Sequence, residues 1–299
     1  MKKIDVIGMP MKYGCYVEGA DLAFSYMKDS YKNIFNSNIY EVDNSFENFE
    51  IHKNDNKIKY IEPVMEINKR LYDIEFKSLS DGNLPIMVGG DHSSAIGSIS
   101  ACLDYYKGDV SVIWIDAHTD IHNEKTSPSG NIHGMPLSVC IGRCDQRFDI
   151  GSYKLDPSNL FYIGIRSFEI EEINYVHENN ITCYMDFQVI ERKINNIVKE
   201  IIKNIKTKYV HISFDLDCIR EDEFNAVNVC VNNEYVDGVG LSIKTVKKAL
   251  NMLITNLNVC SMDIVEYNPL LDVDNKCKKK YEEILLEIKN SLEWNNDFS

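Results

Sequence analysis

The chain has 299 residues, of which 44% are apolar and 10% are aromatic, so it can bury a large core in one α/β domain or in two smaller ones. Its formal net charge of −14 at pH 7 argues against nucleic acid or an anionic membrane as a partner. No run of about 18 apolar residues occurs, and Gly8 and Pro10 interrupt the N-terminal segment, so we expect a cytoplasmic protein. The nine cysteines are scattered and odd in number, which favours reduced thiols over disulfides.

Apolar segments typical of buried β-strands alternate along the chain with segments of helical periodicity. The predicted strands span residues 4–10, 39–43, 84–90, 110–116, 160–165, 182–185, 209–215 and 259–265. The predicted helices span residues 63–79, 94–106, 135–142, 169–179, 188–206, 242–256 and 276–292. This alternation predicts a mostly parallel sheet with helices on both faces. Because no linker or repeat interrupts it, we expect a single domain over residues 1–299.

Three polar motifs follow three of the predicted strands. They are G-G-D-H (89–92), D-A-H-T-D (116–120) and F-D-L-D (214–217). The carboxyl ends of parallel strands share one edge of the sheet, so we expect Asp91, His92, Asp116, His118, Asp120, Asp215 and Asp217 to lie along that edge. Each motif alone is more typical of a helix cap or a turn. Together they would repel one another unless a cation is bound, and two divalent ions about 3.5–4 Å apart would use all these donors.

The same motifs resemble the signature blocks of the ureohydrolases, the arginase and agmatinase group of dimanganese enzymes. The matching blocks are G-G-D-H-S (89–93), D-A-H-T-D (116–120), S-G-N-I-H-G-M-P (129–136), S-F-D-L-D (213–217) and V-E-Y-N-P (265–269). The resemblance implies a three-layer α/β/α fold with an eight-stranded parallel sheet, two Mn²⁺ per chain and a trimer or hexamer. It also implies six metal ligands, namely His92, Asp116, His118, Asp120, Asp215 and Asp217. Asp91 would then support the site without binding metal.

The resemblance further implies a catalytic group of Glu266, His133 and Asp120. A guanidinium carbon resists attack by water, whereas a hydroxide that bridges two metals is a much stronger nucleophile. Glu266 matches the glutamate that binds the guanidinium, and His133 matches the histidine that moves a proton to the leaving amine. A solvated glutamate and a structural histidine of the 126–136 loop are the simpler alternatives for these two residues.

Four further residues match or replace substrate-binding positions of the family. Ser129 and Asn131 match residues that contact an α-carboxylate, and Glu169 stands where an aspartate usually binds the α-amino group. His122 replaces an asparagine. The loop that is usually rich in Pro, Gly and Thr is replaced by residues 218–231, which contain no Pro or Gly, so the substrate pocket is expected to differ from that of typical arginases.

These observations predict a Mn²⁺-dependent amidinohydrolase that converts L-arginine and water into L-ornithine and urea. Three alternatives stay open. A related enzyme could act on agmatine, a guanidino acid or formiminoglutamate. A metal-binding homologue without turnover could serve as a ligand-binding or oligomeric scaffold. A zinc-dependent amide deacetylase could use a similar sheet.

Overall fold

The computed structural model describes residues 3–45, 57–228 and 239–297 and contains one sheet of eight parallel strands. The strands are β1 (Ile4–Gly8), β2 (Asn38–Glu41), β3 (Leu84–Val88), β4 (Val110–Ile115), β5 (Leu160–Ile165), β6 (Thr182–Met185), β7 (Tyr209–Asp215) and β8 (Val259–Val265). Their order in the sheet is β2-β1-β3-β8-β7-β4-β5-β6. The expected eight-stranded parallel sheet is therefore confirmed.

Helices cover both faces of this sheet. They are α1 (Ala23–Phe35), α2 (Ile61–Ser80), α3 (Ala95–Tyr105), α4 (Pro136–Ile141), α5 (Ile170–Glu178), α6 (Asp186–Arg192), α7 (Ile194–Asn204), α8 (Ile243–Asn256) and α9 (Lys276–Asp297). Helices α1 and α6 to α9 pack on one face, and α2 to α5 pack on the other. No helix within the described ranges combines the length and the apolar character that a membrane crossing requires.

Strand β4 illustrates why the central strands are mostly apolar. Its six residues are all buried. Ile113 and Ile115 pack with the α1 and α6–α9 layer, whereas Val112 and Trp114 pack with the opposite layer. Successive side chains of a strand point to opposite faces, so a strand that is covered on both sides is buried at every position, including the polar Ser111 of β4.

The predicted elements differ from the observed ones mainly at their ends. Four strands, β5 to β8, have the predicted bounds. The first and third predicted strands end earlier, and after β3 the backbone turns at Gly89 and Gly90, whose φ angles of 83° and 78° are outside the extended region. The predicted helix 188–206 is two helices, because Lys193 has a φ of 66° that interrupts helical hydrogen bonding. Helix α1 was not predicted.

The order of the strands determines where a site can form. Strands β3, β8, β7 and β4 are consecutive at the centre of the sheet, although β7 and β8 come last in the chain. In the chain β4 is the next strand after β3, but in the sheet β8 and β7 lie between them. The loops after these four strands therefore meet at one edge, and such a change in the direction of strand order is where ligands bind in open parallel sheets.

Candidate metal centre and substrate cavity

The turn after β3 presents His92 at the edge of the sheet. Gly90 is required there, since a Cβ atom at this position would lie 2.7 Å from the Met9 carbonyl oxygen. Asp91 then caps a short 3-10 helix by accepting a hydrogen bond from the Ser93 backbone N–H. His92 is the first residue of this helix, and its side chain is only 1% exposed. The backbone thus fixes the direction of the imidazole.

The Asp91 carboxylate accepts three hydrogen bonds from the surrounding turn and from the N-terminal segment. Its carboxylate accepts from the backbone N–H groups of Gly14 at 2.8 Å and Ser93 at 3.0 Å, and from the Ser93 hydroxyl at 2.5 Å. A Cβ atom on Gly14 would lie 2.2 Å from Asp91 Oδ1, which explains the glycine in the N-terminal segment. Asp91 therefore supports the turn, in agreement with the role that the resemblance implies.

The remaining candidates come from the ends of β4 and β7. Asp116 directly follows β4, and the chain continues through His118 to Asp120, whose φ is 45°. Asp215 ends β7 and accepts a hydrogen bond from the Asp217 backbone N–H at 2.7 Å. In the same way, Asp116 Oδ1 accepts a hydrogen bond from the His118 backbone N–H at 2.7 Å, so each motif is stabilised by a bond between residues two positions apart.

The six predicted ligands converge as two groups that share Asp116. In the first group, His92 Nδ1 lies 2.9 Å from Asp116 Oδ2, 3.1 Å from Asp215 Oδ2 and 3.3 Å from Asp120 Oδ2. In the second group, His118 Nδ1 lies 2.9 Å from Asp217 Oδ2 and 3.6 Å from Asp116 Oδ1. One carboxylate thus faces two clusters of donors.

The hydrogen bonds behind His92 determine its tautomer and show that the group fits a cation. Ser213 Oγ donates to Asp263 Oδ2 at 3.3 Å, so it accepts from His92 Nε2 at 2.9 Å. The Nδ1 lone pair of this tautomer faces carboxylate oxygens. Nδ1 and Asp116 Oδ2 are also buried without a hydrogen-bond partner among the described residues. A divalent cation between them would satisfy both atoms.

The pKa shifts of residues in the cluster also favour a bound cation. Burial, together with the negative charges of Asp217 and Asp116, raises the pKa of Asp215 well above its usual value. Burial opposes a charge on His92, yet the facing carboxylates outweigh it and raise the pKa of His92 as well. Carboxylates crowded in this way repel one another, and bound divalent cations would relieve the repulsion.

Glu266 and His133 lie beside this cluster in the same cavity, which has a volume of about 270 Å³. Glu266 directly follows β8 with a φ of 68°. Its Oε1 accepts a hydrogen bond from the His92 backbone N–H at 2.9 Å and lies 3.7 Å from His133 Nδ1. Its Oε2 is buried without a hydrogen-bond partner among the described residues. A buried carboxylate oxygen of this kind is suited to a cationic ligand.

The cavity is also lined by Ser129, Asn131, Glu169 and His122, which come from loops or from the start of α5. We call these four residues the outer end of the cavity, and the metal-ligand candidates with Glu266 its inner end. His122 Nε2 lies 2.9 Å from Glu169 Oε2, and His122 Nδ1 lies 3.0 Å from the Thr126 hydroxyl. The hydrogen bond with His122 lowers the pKa of Glu169 to about 2. The four residues predicted to bind substrate therefore share one cavity with five of the six predicted ligands. The sixth ligand, Asp116, lies behind them in contact with His92.

Residues 2–288 match the sequence model of the arginase family. The chain belongs to the arginase family. It is 32% identical over 292 residues to the arginase of Bacillus subtilis strain 168, which covers 95% of this chain and 96% of that protein. The fold matches the arginase of Bacillus caldovelox with a TM-score of 0.86 at 30% identity, covering 98% of each chain. It also matches Entamoeba histolytica arginase in complex with L-ornithine, with a TM-score of 0.86 at 26% identity, covering 98% and 99% of the two chains.

Membership of the arginase family makes the chain a hydrolase that acts on guanidino or amidine compounds, in a family that depends on a binuclear metal centre. This argues against the deacetylase alternative. The buried clusters of histidine and aspartate are groups that could hold such metals.

Sequence reasoning missed several residues in or beside this arginase-family cavity. Glu172 lines it and forms a capping box with Glu169 at the start of α5, so the E-x-x-E spacing was the available signal. Asn228 also lines the cavity, and its Oδ1 accepts from Asn268 Nδ2 at 2.7 Å. It belongs to the replaced 218–231 loop, of which residues 229–231 lie outside the described residues. Lys59 is not part of the lining, but it contacts the lining residue Asn131.

Proposed function

We propose that the protein is a Mn²⁺-dependent arginase, which hydrolyses L-arginine to L-ornithine and urea. The observation that carries this proposal is the arrangement of one cavity. Histidine and aspartate clusters and the buried Glu266 lie at its inner end, whereas Ser129, Asn131 and Glu169 line its outer end. A molecule with a guanidinium group at one end and an amino acid at the other matches both ends.

The metal ions would be held by the two groups that share Asp116. His92, Asp120 and Asp215 surround one position, and His118 and Asp217 surround the other. Mixed imidazole and carboxylate donors suit Mn²⁺, and we propose two such ions per chain. When bound, the ions supply Lewis acidity that lowers the pKa of a water molecule and so provides the nucleophile at neutral pH.

Glu266 is proposed to bind the guanidinium of the substrate. Its Oε1 is held by the His92 backbone N–H, which fixes the plane of the carboxylate. Its Oε2 is buried and has no hydrogen-bond partner among the described residues. An unsatisfied buried acceptor is unfavourable, and a planar guanidinium offers N–H donors to it with charge assistance. Glu266 would therefore orient the central carbon of the guanidinium toward the metal position.

His133 is proposed to deliver a proton to the leaving amine. Its imidazole is partly exposed, with 22% of the side-chain surface accessible, and Nδ1 lies 3.7 Å from Glu266 Oε1. A histidine at this place is near the guanidinium that Glu266 would hold and is also in reach of solvent, from which it can be reprotonated. Asp120 is proposed to be the third member of this catalytic group, as a metal ligand that also faces the guanidinium.

The outer end would hold the amino-acid part of the substrate. We propose that Ser129 and Asn131 hydrogen-bond the α-carboxylate and that Glu169 pairs with the α-ammonium. His122 contacts Glu169 at 2.9 Å. It would therefore affect binding of the α-ammonium through the Glu169 carboxylate. This contact is also the specific observation that favours a second candidate, a guanidino-acid hydrolase, because Glu169 is less available to an α-ammonium.

A substrate panel with metal analysis tests the proposal. Purified, Mn²⁺-loaded protein is assayed for urea release from L-arginine, agmatine and guanidino acids, and for formamide release from formiminoglutamate, while metal per chain is measured on the same sample. We expect about two Mn²⁺ per chain and urea from L-arginine above the other compounds. Binding of L-arginine in calorimetry without urea release would instead support a scaffold, and release from another compound alone would change the substrate.

Three broader features complete the proposal. We propose a single catalytic domain over residues 1–299, a homo-oligomer of three or six chains and a cytoplasmic location. Size-exclusion chromatography with light scattering tests the second feature, and a mass of one chain would contradict it.

A further inference from the structure

Lys59 is attached to the loop that lines the outer end of the cavity. Its backbone N–H donates to the Gly130 carbonyl at 2.9 Å, and its Nζ donates to Asn131 Oδ1 at 3.3 Å. The residue precedes α2 and is partly buried. Among the described residues, no carboxylate forms an ion pair with Lys59. Two separate contacts thus hold this lysine against the loop, with its charge not neutralised by a described acidic partner.

The contact with Lys59 determines which way the Asn131 amide faces. A lysine ammonium has three donors and no acceptor, so the amide atom that it contacts is the oxygen. The amide nitrogen of Asn131, a donor, is therefore left for the cavity that Asn131 lines. A donor in that place suits a carboxylate and would not suit an ammonium group.

The charge of the cavity makes such a device necessary for an anionic group. Among the described residues that line the cavity, six are acidic and none is lysine or arginine; the acidic ones are Asp120, Glu169, Glu172, Asp215, Asp217 and Glu266. The two proposed Mn²⁺ would compensate Asp120, Asp215 and Asp217. The remaining acidic residues, Glu169, Glu172 and Glu266, still attract cations, including a guanidino amine without a carboxylate. A substrate carboxylate is repelled unless donors and a positive charge compensate it locally. Lys59 orients the donor and brings the charge.

We propose that Lys59 is a positioning residue that sets substrate class: by holding Asn131 Oδ1 it presents the amide nitrogen to the substrate's carboxylate and selects guanidino amino acids over guanidino amines. The inference rests on the proposed function of the same cavity and deepens it. Lys59 acts through Asn131, so its effect belongs to substrate binding and not to the chemical step.

The test compares two substrates that differ only in the carboxylate, L-arginine and agmatine. In Mn²⁺-loaded protein, Lys59→Met should lower kcat/KM for L-arginine by about tenfold or more, as expected for lost charge-assisted hydrogen bonding. The lower kcat/KM should result from a higher KM, with kcat staying within about twofold of the wild-type value. Activity on agmatine should stay within about twofold, which also shows that the variant is folded.

Two variants and a double substitution control the result. Lys59→Arg keeps the donor and the charge and should restore most of the lost preference. Lys125→Met removes a lysine from the neighbouring loop, where its side chain is 81% exposed, and should leave the preference unchanged. Combining Lys59→Met with Asn131→Ala should add little to either single loss, because both act on one interaction. Equal losses on both substrates, no loss on L-arginine, or additive losses would overturn the proposal.

Failure of the proposed function is separable from failure of this inference. If wild-type protein releases urea from neither substrate, the proposed function fails. The role of Lys59 is then tested by ligand binding instead of by activity. L-ornithine and putrescine also differ only in the carboxylate, and calorimetry on Mn²⁺-loaded protein should then show that Lys59→Met weakens L-ornithine alone. Unchanged binding of L-ornithine, or no preference for it over putrescine in the wild type, would overturn the inference. A wild type that hydrolyses agmatine and not L-arginine overturns it as well.

Discussion

The inner end of the cavity is built by the ends of neighbouring strands, whereas the outer end is built by loops. His92, Asp116 and Asp215 are at most 2% exposed, and each directly ends or closely follows a strand at the centre of the sheet. At the outer end Ser129 is exposed and Asn131 is partly buried, and their conformations depend on partners elsewhere in the chain. The backbone therefore fixes the inner groups, while side-chain pairs fix the outer ones, which leaves specificity freer to change than the metal centre.

Asp116→Asn is expected to have the largest effect, because Asp116 is the residue shared by both groups. Loss of its charge should remove both cations and lower activity by more than about a hundredfold. Even mutation of a residue that only hydrogen-bonds a metal ligand typically lowers metal affinity or activity by about 10–100-fold. Asp217→Asn, which touches only the His118 group, should release one cation more readily than the other. Metal content after dialysis and urea release measure both effects. Two retained ions with full activity in Asp116→Asn would contradict the assignment.

Glu266→Gln should separate substrate binding from metal binding. Glutamine keeps an oxygen for the His92 backbone N–H but loses the negative charge that faces the guanidinium. We expect both ions to stay bound and kcat/KM to fall roughly ten- to a hundredfold, the value of a charged hydrogen bond of about 1.5–3 kcal/mol. The exposed Glu171→Gln on α5 is the control. Loss of metal in Glu266→Gln, or unchanged activity, would show that Glu266 has another role.

The same contrast explains what could be predicted from the sequence. The inner end was predictable, because motifs that follow apolar strands of a parallel sheet must meet at one edge. The sharing of Asp116 between two groups was not, since it depends on side-chain rotamers. At the outer end, Lys59 contacts Asn131 across 72 positions and His122 contacts Glu169 across 47. No local pattern specifies such pairs.

Helix α1 shows that a missed element can still have a signal. Its buried residues, including Phe24, Met27, Tyr31 and Phe35, recur at helical spacing. Aromatic residues have modest helix propensity and the N-cap, Leu22, makes no side-chain capping bond, so local signals for a helix were weak. Packing against α9 and the sheet supplies the stability that propensity does not.

His122→Asn should alter specificity at the amino subsite. Asparagine cannot reach Glu169 as the imidazole does, so Glu169 Oε2 becomes available to an α-ammonium. We expect kcat/KM for L-arginine to rise about three- to tenfold, the value of one modest hydrogen bond. Activity on 5-guanidinopentanoate, which lacks the α-amino group, should change little. A parallel change on both compounds, or a fall on L-arginine, would show that His122 does not restrict Glu169.

The pair of His122 and Glu169 should also give the smallest effect, a pH-dependent contribution to stability. Burial opposes a charge on His122, but the hydrogen bond to Glu169 and the negative charges of Glu172 and Glu169 together outweigh it and raise the His122 pKa above 6.5. The stability from this shift is complete below pH 6.5 and is lost as the pH rises through the folded value. The hydrogen bond from His122 lowers the Glu169 pKa from 4.5 to about 2, so that contribution is complete above 4.5 and is lost as pH falls toward 2. Denaturant unfolding should therefore show His122→Asn less stable than the wild type by about 1 kcal/mol or less near pH 5.5, because the pair is partly exposed to solvent. The difference should shrink near pH 3 and in alkaline solution, and His177→Asn, at an exposed position of α5, is the control substitution. A difference that is independent of pH would mean that packing, and not the ion pair, makes His122 stabilising.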